Sequence, residues 1–432
     1  MSETHSYQPH EKRDRVMAIV GAASGNLVEW FDFYIYAAFA IYFTHALTAP
    51  DMSDSSKAIY VWGVFAASFF MRPLGSWLFG WIGDTYGRKK SMIISITLMA
   101  ISSFLFAALP TYEQVGMAAP FLLLAVRLLQ GLSVGGEYGT VATYMSEVAL
   151  KGQRGFYASF QYVTLSGGQL LASALGVIML AFMSKEQLMD GGWRIPFIIG
   201  GVVAILSFFA RRHLKETLSE DEGKKEGSGS LKELFKHNWK TFLLVVGYTS
   251  AGSLCFYIIT VYSKTYITSL GFDDKTVGYM MTIALFVFMC AQPLFGILSD
   301  RIGRRASMML FSITCAIFIY PVMVIAMPYF HNSAVIVTLL LIFLMFLLSF
   351  YTSISGLVKA EMFPPYIRAL GVGFAYAVGN AIFGGSAPAV ALKLKDLGME
   401  NTFFVYVIVM LIICLFCSMQ LPKQPKYLHH DH

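Results

Sequence analysis

The sequence predicts an all-α membrane protein of twelve spanning helices, built by internal duplication, and three observations carry that prediction. The 432 residues are 56% hydrophobic and only 13% charged, against about 25% charged in ordinary soluble domains, and the mean hydropathy is +0.60. Apolar runs recur that are long enough to cross ~30 Å of hydrocarbon. They exceed strand length and lack period-2 alternation, which favours helices over a barrel. Finally, one charged motif occurs twice. GWIGDTYGRKK (80–90) and GILSDRIGRR (296–305) share G-x3-D-x2-G-R-[KR] at an offset of 216 residues, half the chain. Glu147…Arg154 and Glu361…Arg368 follow at an offset of 214. Two polar motifs repeated at nearly one offset mark a duplicated unit.

The apolar runs place helices near 16–45, 59–83, 91–109, 118–146, 155–182 and 193–211, then 240–268, 276–299, 306–327, 333–359, 369–392 and 402–421. An even number puts both chain ends on one side of the membrane. The organisation is a polar segment 1–15, six helices over 16–211, a central loop 212–239, six helices over 240–421 and a tail 422–432. Within the loop, SEDEGKKEGSGS (219–230) has the composition of a flexible linker. Ser230-x-x-Glu233 reads as a capping box opening a short interfacial helix over 231–239. No cleavable signal peptide is visible, because the first apolar run is a full span containing acids. Cys255, Cys290, Cys315, Cys414 and Cys417 lie in or beside apolar runs without metal-site spacing, so no metal is expected. His429, His430 and His432 read as a solvated terminus.

Lysine and arginine set the orientation. The side bearing the repeated motifs and both termini holds 23 of the 32, Lys359 and Arg368 among them, and the opposite loops hold six. The positive-inside rule therefore predicts cytoplasmic termini. The net charge of +6 bears on topology; no aromatic-interleaved basic patch points to nucleic acid. No zinc, P-loop, kinase or hydrolase signature is present, which argues against an enzyme or an ATP-driven pump.

Ionisable groups in hydrocarbon cost ~2.5–3.5 kcal/mol each on insertion scales, so each needs a partner or a wet cavity. Helix 1 carries Glu29 and Asp32 at i,i+3 on one face with Gly25 and Tyr36. They could form a structural ion pair or exchange protons. Arg127 in helix 4 is followed by Gly131 and Gly135 on one face, which allows close helix approach. It could pair permanently with an intramembrane acid, or form a pair that protonation releases. Arg72 sits about twelve residues, or ~18 Å, from Asp84, near the bilayer midplane. Ser68 and Ser76 flank it at i±4, and Pro73 follows. A guanidinium there suits either an internal acid or the bidentate grip of a carboxylate or phosphate. Arg194, at the outer start of helix 6, either snorkels or contacts a second substrate carboxylate. Glu137 is a further buried acid. Gln161, Tyr162, Tyr257 and Asn380 could give neutral hydrogen bonds to a substrate or act as helix–helix glue.

The duplicated motif, together with Arg127-x2-Gln130-Gly131, resembles the signatures of the major facilitator superfamily. SGNLVEWFDFY (24–34), FFMRPLGSWLFG (69–80), LSVGGEYGTVATYMSEVA (132–149), FYTSISGLVKAEMFP (350–364) and RALGVGFAYAVGNAIFGGSA (368–387) narrow the resemblance to its metabolite:proton symporters. The resemblance spans nearly the whole chain. It implies two six-helix bundles, alternating access and a midplane site between them. It further implies a protonation switch at Asp32 and Arg127, and dicarboxylate ligands at Arg72 and Arg194. Asp84, Arg88, Asp300 and Arg304 become gating residues, with Glu147–Arg154 and Glu361–Arg368 as companion charge pairs. The expected cargo is a dicarboxylate, 2-oxoglutarate foremost, with citrate, shikimate or a zwitterionic solute as alternatives. The expected coupling ion is the proton, with no cofactor, in a monomeric carrier of a bacterial inner membrane.

Overall fold

The computed structural model describes residues 9–428, and their regular structure is helical throughout. The histidines of the tail lie outside the described residues. Twelve long helical stretches follow one another. The first six are α1 (Pro9–Leu47), α2 (Asp54–Thr85), α3 (Arg88–Ala107), α4 (Ala118–Val148), α5 (Arg154–Phe182) and α6 (Arg194–Arg212). The second six are α7 (Trp239–Ser269), α8 (Asp274–Ile302), α9 (Arg304–Tyr329), α10 (Ala334–Ala360), α11 (Pro365–Asp396) and α12 (Glu400–Met419). The last eleven are long and apolar enough to cross a membrane. The 39 residues of α1 carry Asn26, Glu29 and Asp32 in their middle, all buried. Exposed side chains such as Phe70, Phe182 and Tyr329 form the outer, apolar surface that hydrocarbon requires.

Local chemistry explains the helix boundaries. Ser53, Asp273 and Ser333 each accept a backbone N–H three residues on, from Ser56, Thr276 and Ile336, satisfying the first turns of α2, α8 and α10. The repeated motif makes the same turn twice. Gly87 (φ 121°) and Gly303 (φ 93°) occupy backbone conformations that a side chain disfavours, and Arg88 and Arg304 then start the next helices. We call this the motif end of the molecule.

Close packing depends on missing side chains. Gly131 lies against the backbone of Ser68 and Gly135 against that of Arg72, which seats α4 on α2. Across the two halves, Gly139 meets Gly373, Gly155 meets Gly296 and Gly80 meets Leu370 backbone to backbone. Three helices widen into π-turns, at Ile258–Tyr262 in α7, Pro321–Ala326 in α9 and Asn380–Gly384 in α11. In α10 the helix is interrupted at Ser353–Ile354 before a final turn, Ser355–Ala360.

The central loop differs from its sequence reading. Its serine- and glycine-rich stretch is tied down as a strap across both halves. Ser228 Oγ donates to the Asp84 carbonyl (2.7 Å), and the Gly229 amide donates to the Tyr366 carbonyl (3.0 Å). The short helix forms over Leu231–His237, but Ser230 makes no capping bond. Glu233 instead accepts from Tyr366 Oη (3.0 Å) and meets His237 (2.9 Å), so tertiary contacts replace the expected box.

Because Gly139 and Gly373 touch where the halves meet, Gly139→Leu should drive the motif end apart. Spin labels at the exposed Lys151 and Arg301 should then show a longer distance than in the unsubstituted chain. An unchanged distance would mean the contact does not hold the halves together.

Candidate functional site

Midway along α1, α2 and α4, a narrow cavity is lined by Glu29, Asp32, Phe33, Ser68, Arg72, Arg127, Gln130, Gly131 and Val134. The face of α1 that carries both acids points into it. Arg127 meets Asp32 at 3.5 Å, donates to Gln130 Oε1 (2.9 Å) and Ser68 Oγ (3.4 Å), and lies over the Tyr36 ring at 4.3 Å. Its Nε has no hydrogen-bond partner. This is a loosely engaged ion pair, with a longer contact than the pairs described below.

Arg72 is half-buried on the same cavity. Its guanidinium stacks over the Phe69 ring at 4.2 Å and makes no ion pair with an acid among the described residues. The serines at i±4 serve α4 instead, Ser68 through Arg127 and Ser76 through the Gly135 carbonyl (2.7 Å). Around Arg72 stand Glu29 and, from the second half, Tyr257 and Tyr376. The Tyr257 hydroxyl faces Asn380 and Arg72 without closing a well-formed hydrogen bond to either. Tyr34 Oη and Asn380 Oδ1 are likewise buried without partners. Buried polar atoms are normally satisfied, so this cluster has spare capacity for a polar ligand. The π-turns of α7 and α11 begin at Ile258 and Asn380, beside these side chains; such turns favour functional sites. Tyr162 packs edge-on against Phe256, which also meets Trp30, closing the floor between the halves. Gln161 reaches the Tyr138 carbonyl at only 3.5 Å.

Two sequence candidates lie elsewhere. Arg194 is taken up at the far end of the first half. Its Nη1 donates to the carbonyls of Ala107 (2.7 Å) and Leu109 (2.6 Å), and its plane covers the Trp193 ring at 4.3 Å. It ties the end of α3 to α6 and is not part of the cavity. Glu137 is locked to Arg211, the last residue of the sixth predicted span, which the sequence did not single out. Arg211 spends all five donors on Glu137 (2.7 and 2.7 Å) and on the carbonyls of Gly21, Ala22 and Met92. Ser95 adds a further hydrogen bond to Glu137 (2.7 Å). A carboxylate this fully engaged is a strut joining α1, α3, α4 and α6. The i,i+4 spacing of Ser207 and Arg211 on α6 was the available signal, since Ser207 also turns inward onto Ser24 (2.6 Å).

At the motif end the gating candidates converge, with exchanged partners. Arg368, expected to accompany Glu361 within its own half, reaches the other half's glutamate instead. Glu147 holds Arg88 (3.0 Å) and, across the halves, Arg368 (2.7 Å). Glu361 holds Arg304 (3.4 Å) and feels the charge of Arg154. The cause is topological: α11 packs on α2 and α4, and α5 packs on α8, so each half's arginine reaches the other half's glutamate. The motif aspartates act in the same sense. Asp84 accepts the amides of Ala369 and Leu370 (2.9 and 2.9 Å), at the start of the α-helical part of α11. Asp300 accepts those of Gly155 (2.7 Å) and Phe156 (3.0 Å), in the first turn of α5. Each carboxylate meets the positive end of a helix from the opposite half. Arg88 (2.9 Å) and Arg304 (3.0 Å) hold the same aspartates from behind. The motif end is therefore shut.

Two duplicated bundles, locked at one end around an intramembrane cavity with a loosely paired acid, define a secondary transporter. The chain belongs to the major facilitator superfamily. Residues 17–218 match the family model of sugar (and other) transporters, and residues 253–430 match that of the Major Facilitator Superfamily. Within it, the chain is 51% identical to the alpha-ketoglutarate permease of Escherichia coli (strain K12), over 96% of each sequence. It is 33% identical to the citrate-proton symporter of Salmonella typhi, over 88% of this chain and 87% of the relative. The fold matches the proton:xylose symporter XylE bound to 6-bromo-6-deoxy-D-glucose with a TM-score of 0.80, at 16% identity, over 97% of this chain and 98% of that one.

Removing one member of a buried pair strands the other's charge, at a cost of ~3–5 kcal/mol, whereas replacing both by apolar groups can be nearly neutral. Glu137→Gln should therefore unfold at a clearly lower temperature in detergent, and Glu137→Leu with Arg211→Met should recover most of the loss. A Glu137→Gln protein of full stability would contradict the strut.

Proposed function

We propose that the protein is a proton-coupled symporter that imports a dicarboxylate, 2-oxoglutarate foremost, by alternating access across a bacterial inner membrane. Its motif end and both termini face the cytoplasm, as the lysine and arginine bias indicates. The observation that carries the reading is Arg72, an always-charged guanidinium on a central cavity with no acid in ion-pair contact among the described residues. The similarity to the alpha-ketoglutarate permease over 96% of both sequences supports the substrate class.

Charge explains the coupling. Glu29 and Asp32 balance Arg72 and Arg127 when all four are ionised. A dianion entering that cavity adds two negative charges, and a proton on Asp32 removes one. Substrate and proton therefore favour each other's binding, and the coupling is reciprocal. Protonation also loosens the 3.5 Å contact with Arg127, which frees that cation to rearrange. The proton is the coupling ion, no metal or organic cofactor takes part, and one chain supplies both bundles. Glu29 lies nearer Arg72 and helps set the charge that the substrate meets.

The test is uptake of labelled 2-oxoglutarate into proteoliposomes, with and without an inward proton gradient. The expected outcome is accumulation above equilibrium that an uncoupler abolishes. Equilibration without accumulation would remove the proton coupling, and no uptake by folded protein would move the substrate to citrate or another acid. Arg72→Lys keeps the charge but loses the planar fork. Charge-assisted hydrogen bonds are worth ~1.5–3 kcal/mol, so uptake should fall about tenfold or more. Asp32→Asn should retain exchange of substrate across the membrane and lose gradient-driven accumulation.

A further inference from the structure

Lys359, counted from sequence among the charges of the motif side, is fully buried in the final turn of α10, just past the break at Ser353–Ile354. Its ammonium occupies a cage built from both halves. Nζ donates to Tyr138 Oη (2.8 Å), Tyr351 Oη (2.9 Å), Ser355 Oγ (2.8 Å) and the Ser355 carbonyl (3.1 Å). The rings of Tyr138, Tyr351 and Tyr376 surround it at 5.1, 5.1 and 5.3 Å, within cation–π range. No carboxylate stands among its described contacts. A cation kept in a membrane bundle without an acid is costly, and such residues mark substrate paths.

Position gives the cage its meaning. Tyr138 lies one turn of α4 beyond the cavity-lining Val134, toward the motif end. Its ring stacks on that of Tyr376 at 3.5 Å, and Tyr376 is close enough to Arg72 and Glu29 to feel both charges. The stacked pair thus separates Lys359 from the cavity that Arg72 faces. A dicarboxylate needs two cations. Arg194 is engaged by two carbonyls and Arg211 by Glu137, and Arg127 is held by Asp32 until that acid takes a proton, so none of the three is free in this state.

We propose that Lys359 is the second carboxylate-binding cation of the transport cycle, hidden here and presented to the substrate when the motif end opens. Tyr138 belongs to the first half, whereas Tyr351 and Ser355 share α10 with Lys359. When the halves part, Tyr138 leaves with its hydroxyl and its ring, and the α10 contacts stay. The ammonium keeps its three acceptors on α10 but loses the Tyr138 hydroxyl and one face of its aromatic cage, and a substrate carboxylate takes that place and supplies the counter-charge the cage lacks. The substrate passes from Arg72 alone to Arg72 and Lys359 together, so its charge helps to hold the inward-open state. The proposal rests on the dicarboxylate reading above.

The experiment follows labelled 2-oxoglutarate across oriented proteoliposomes of the full chain and determines the substrate KM separately at each face. Lys359→Gln should raise KM at the motif face about tenfold or more, the worth of one charge-assisted bond, and leave the opposite face within about twofold. Lys359→Arg should restore most of the motif-face affinity. Thermal unfolding of each variant establishes that it is folded. If Lys359→Gln does not fold, the comparison passes to Tyr138→Phe, which keeps the ring and removes only the closed-state hydroxyl. It should then lower motif-face KM, or at most leave it unchanged, while shifting spin-label distances toward an open motif end. A KM rise equal at both faces, no rise at either, or Tyr138→Phe weakening the motif face would overturn the proposal. Unsubstituted protein that neither binds nor moves 2-oxoglutarate would overturn the dicarboxylate reading instead.

Discussion

The expense of an unpaired charge inside hydrocarbon orders this molecule. Each buried ionisable group has been given a degree of satisfaction, and that degree separates scaffold from machinery. Arg211 and Glu137 use every donor and most acceptors on one another and on neighbouring backbone, so they behave as a rivet. Asp32 and Arg127 meet at 3.5 Å with a guanidinium nitrogen left over. Arg72 meets aromatic rings, and Lys359 meets hydroxyls and rings. Completeness of pairing decreases toward the central cavity, the proposed transport site. A rigid pair there would oppose the changes of charge that transport requires.

The same economy shapes the motif end. A helix leaves its first amides unsatisfied, and in α5 and α11 these are met by aspartates from the opposite half. The duplicated motif thus works as two copies of one cross-half latch. Glycines at 80, 139, 155, 296 and 373 allow the backbones to come close enough for those short bonds to form. The strap through Ser228 and Gly229 then binds the connecting loop to both sides of one latch.

Much of this was legible in the chain. Period, length and the 216-residue repeat show the twelve helices, because hydrophobic spans and glycine turns are local signals. The partnership of Asp32 with Arg127 came from the family resemblance, because by residue type alone Glu29 and Glu137 were equally open to that arginine. Partners set by the crossing of distant helices were not legible. Nothing near Glu147 in sequence says that Arg368, 221 residues on, reaches it. Arg194 looked free because its acceptors are backbone carbonyls, which carry no residue-type signal. Lys359 was counted as a loop charge because the break in α10 that turns it inward leaves no mark in hydropathy. The capping box at Ser230 failed because Tyr366, 133 residues beyond Glu233, competes for the same carboxylate.

The cross-half capping gives the transport cycle a solvent dimension. In the closed state four helix-terminal amides and two aspartates are satisfied by protein and shielded from water. Parting the halves leaves those six groups to be hydrated, so alternation at the motif end is in part a hydration reaction. Solutes excluded from protein surfaces favour states that expose less of it. Water activity at the motif end is thereby a thermodynamic variable of the carrier, alongside the substrate and the proton, and it acts without any binding site of its own.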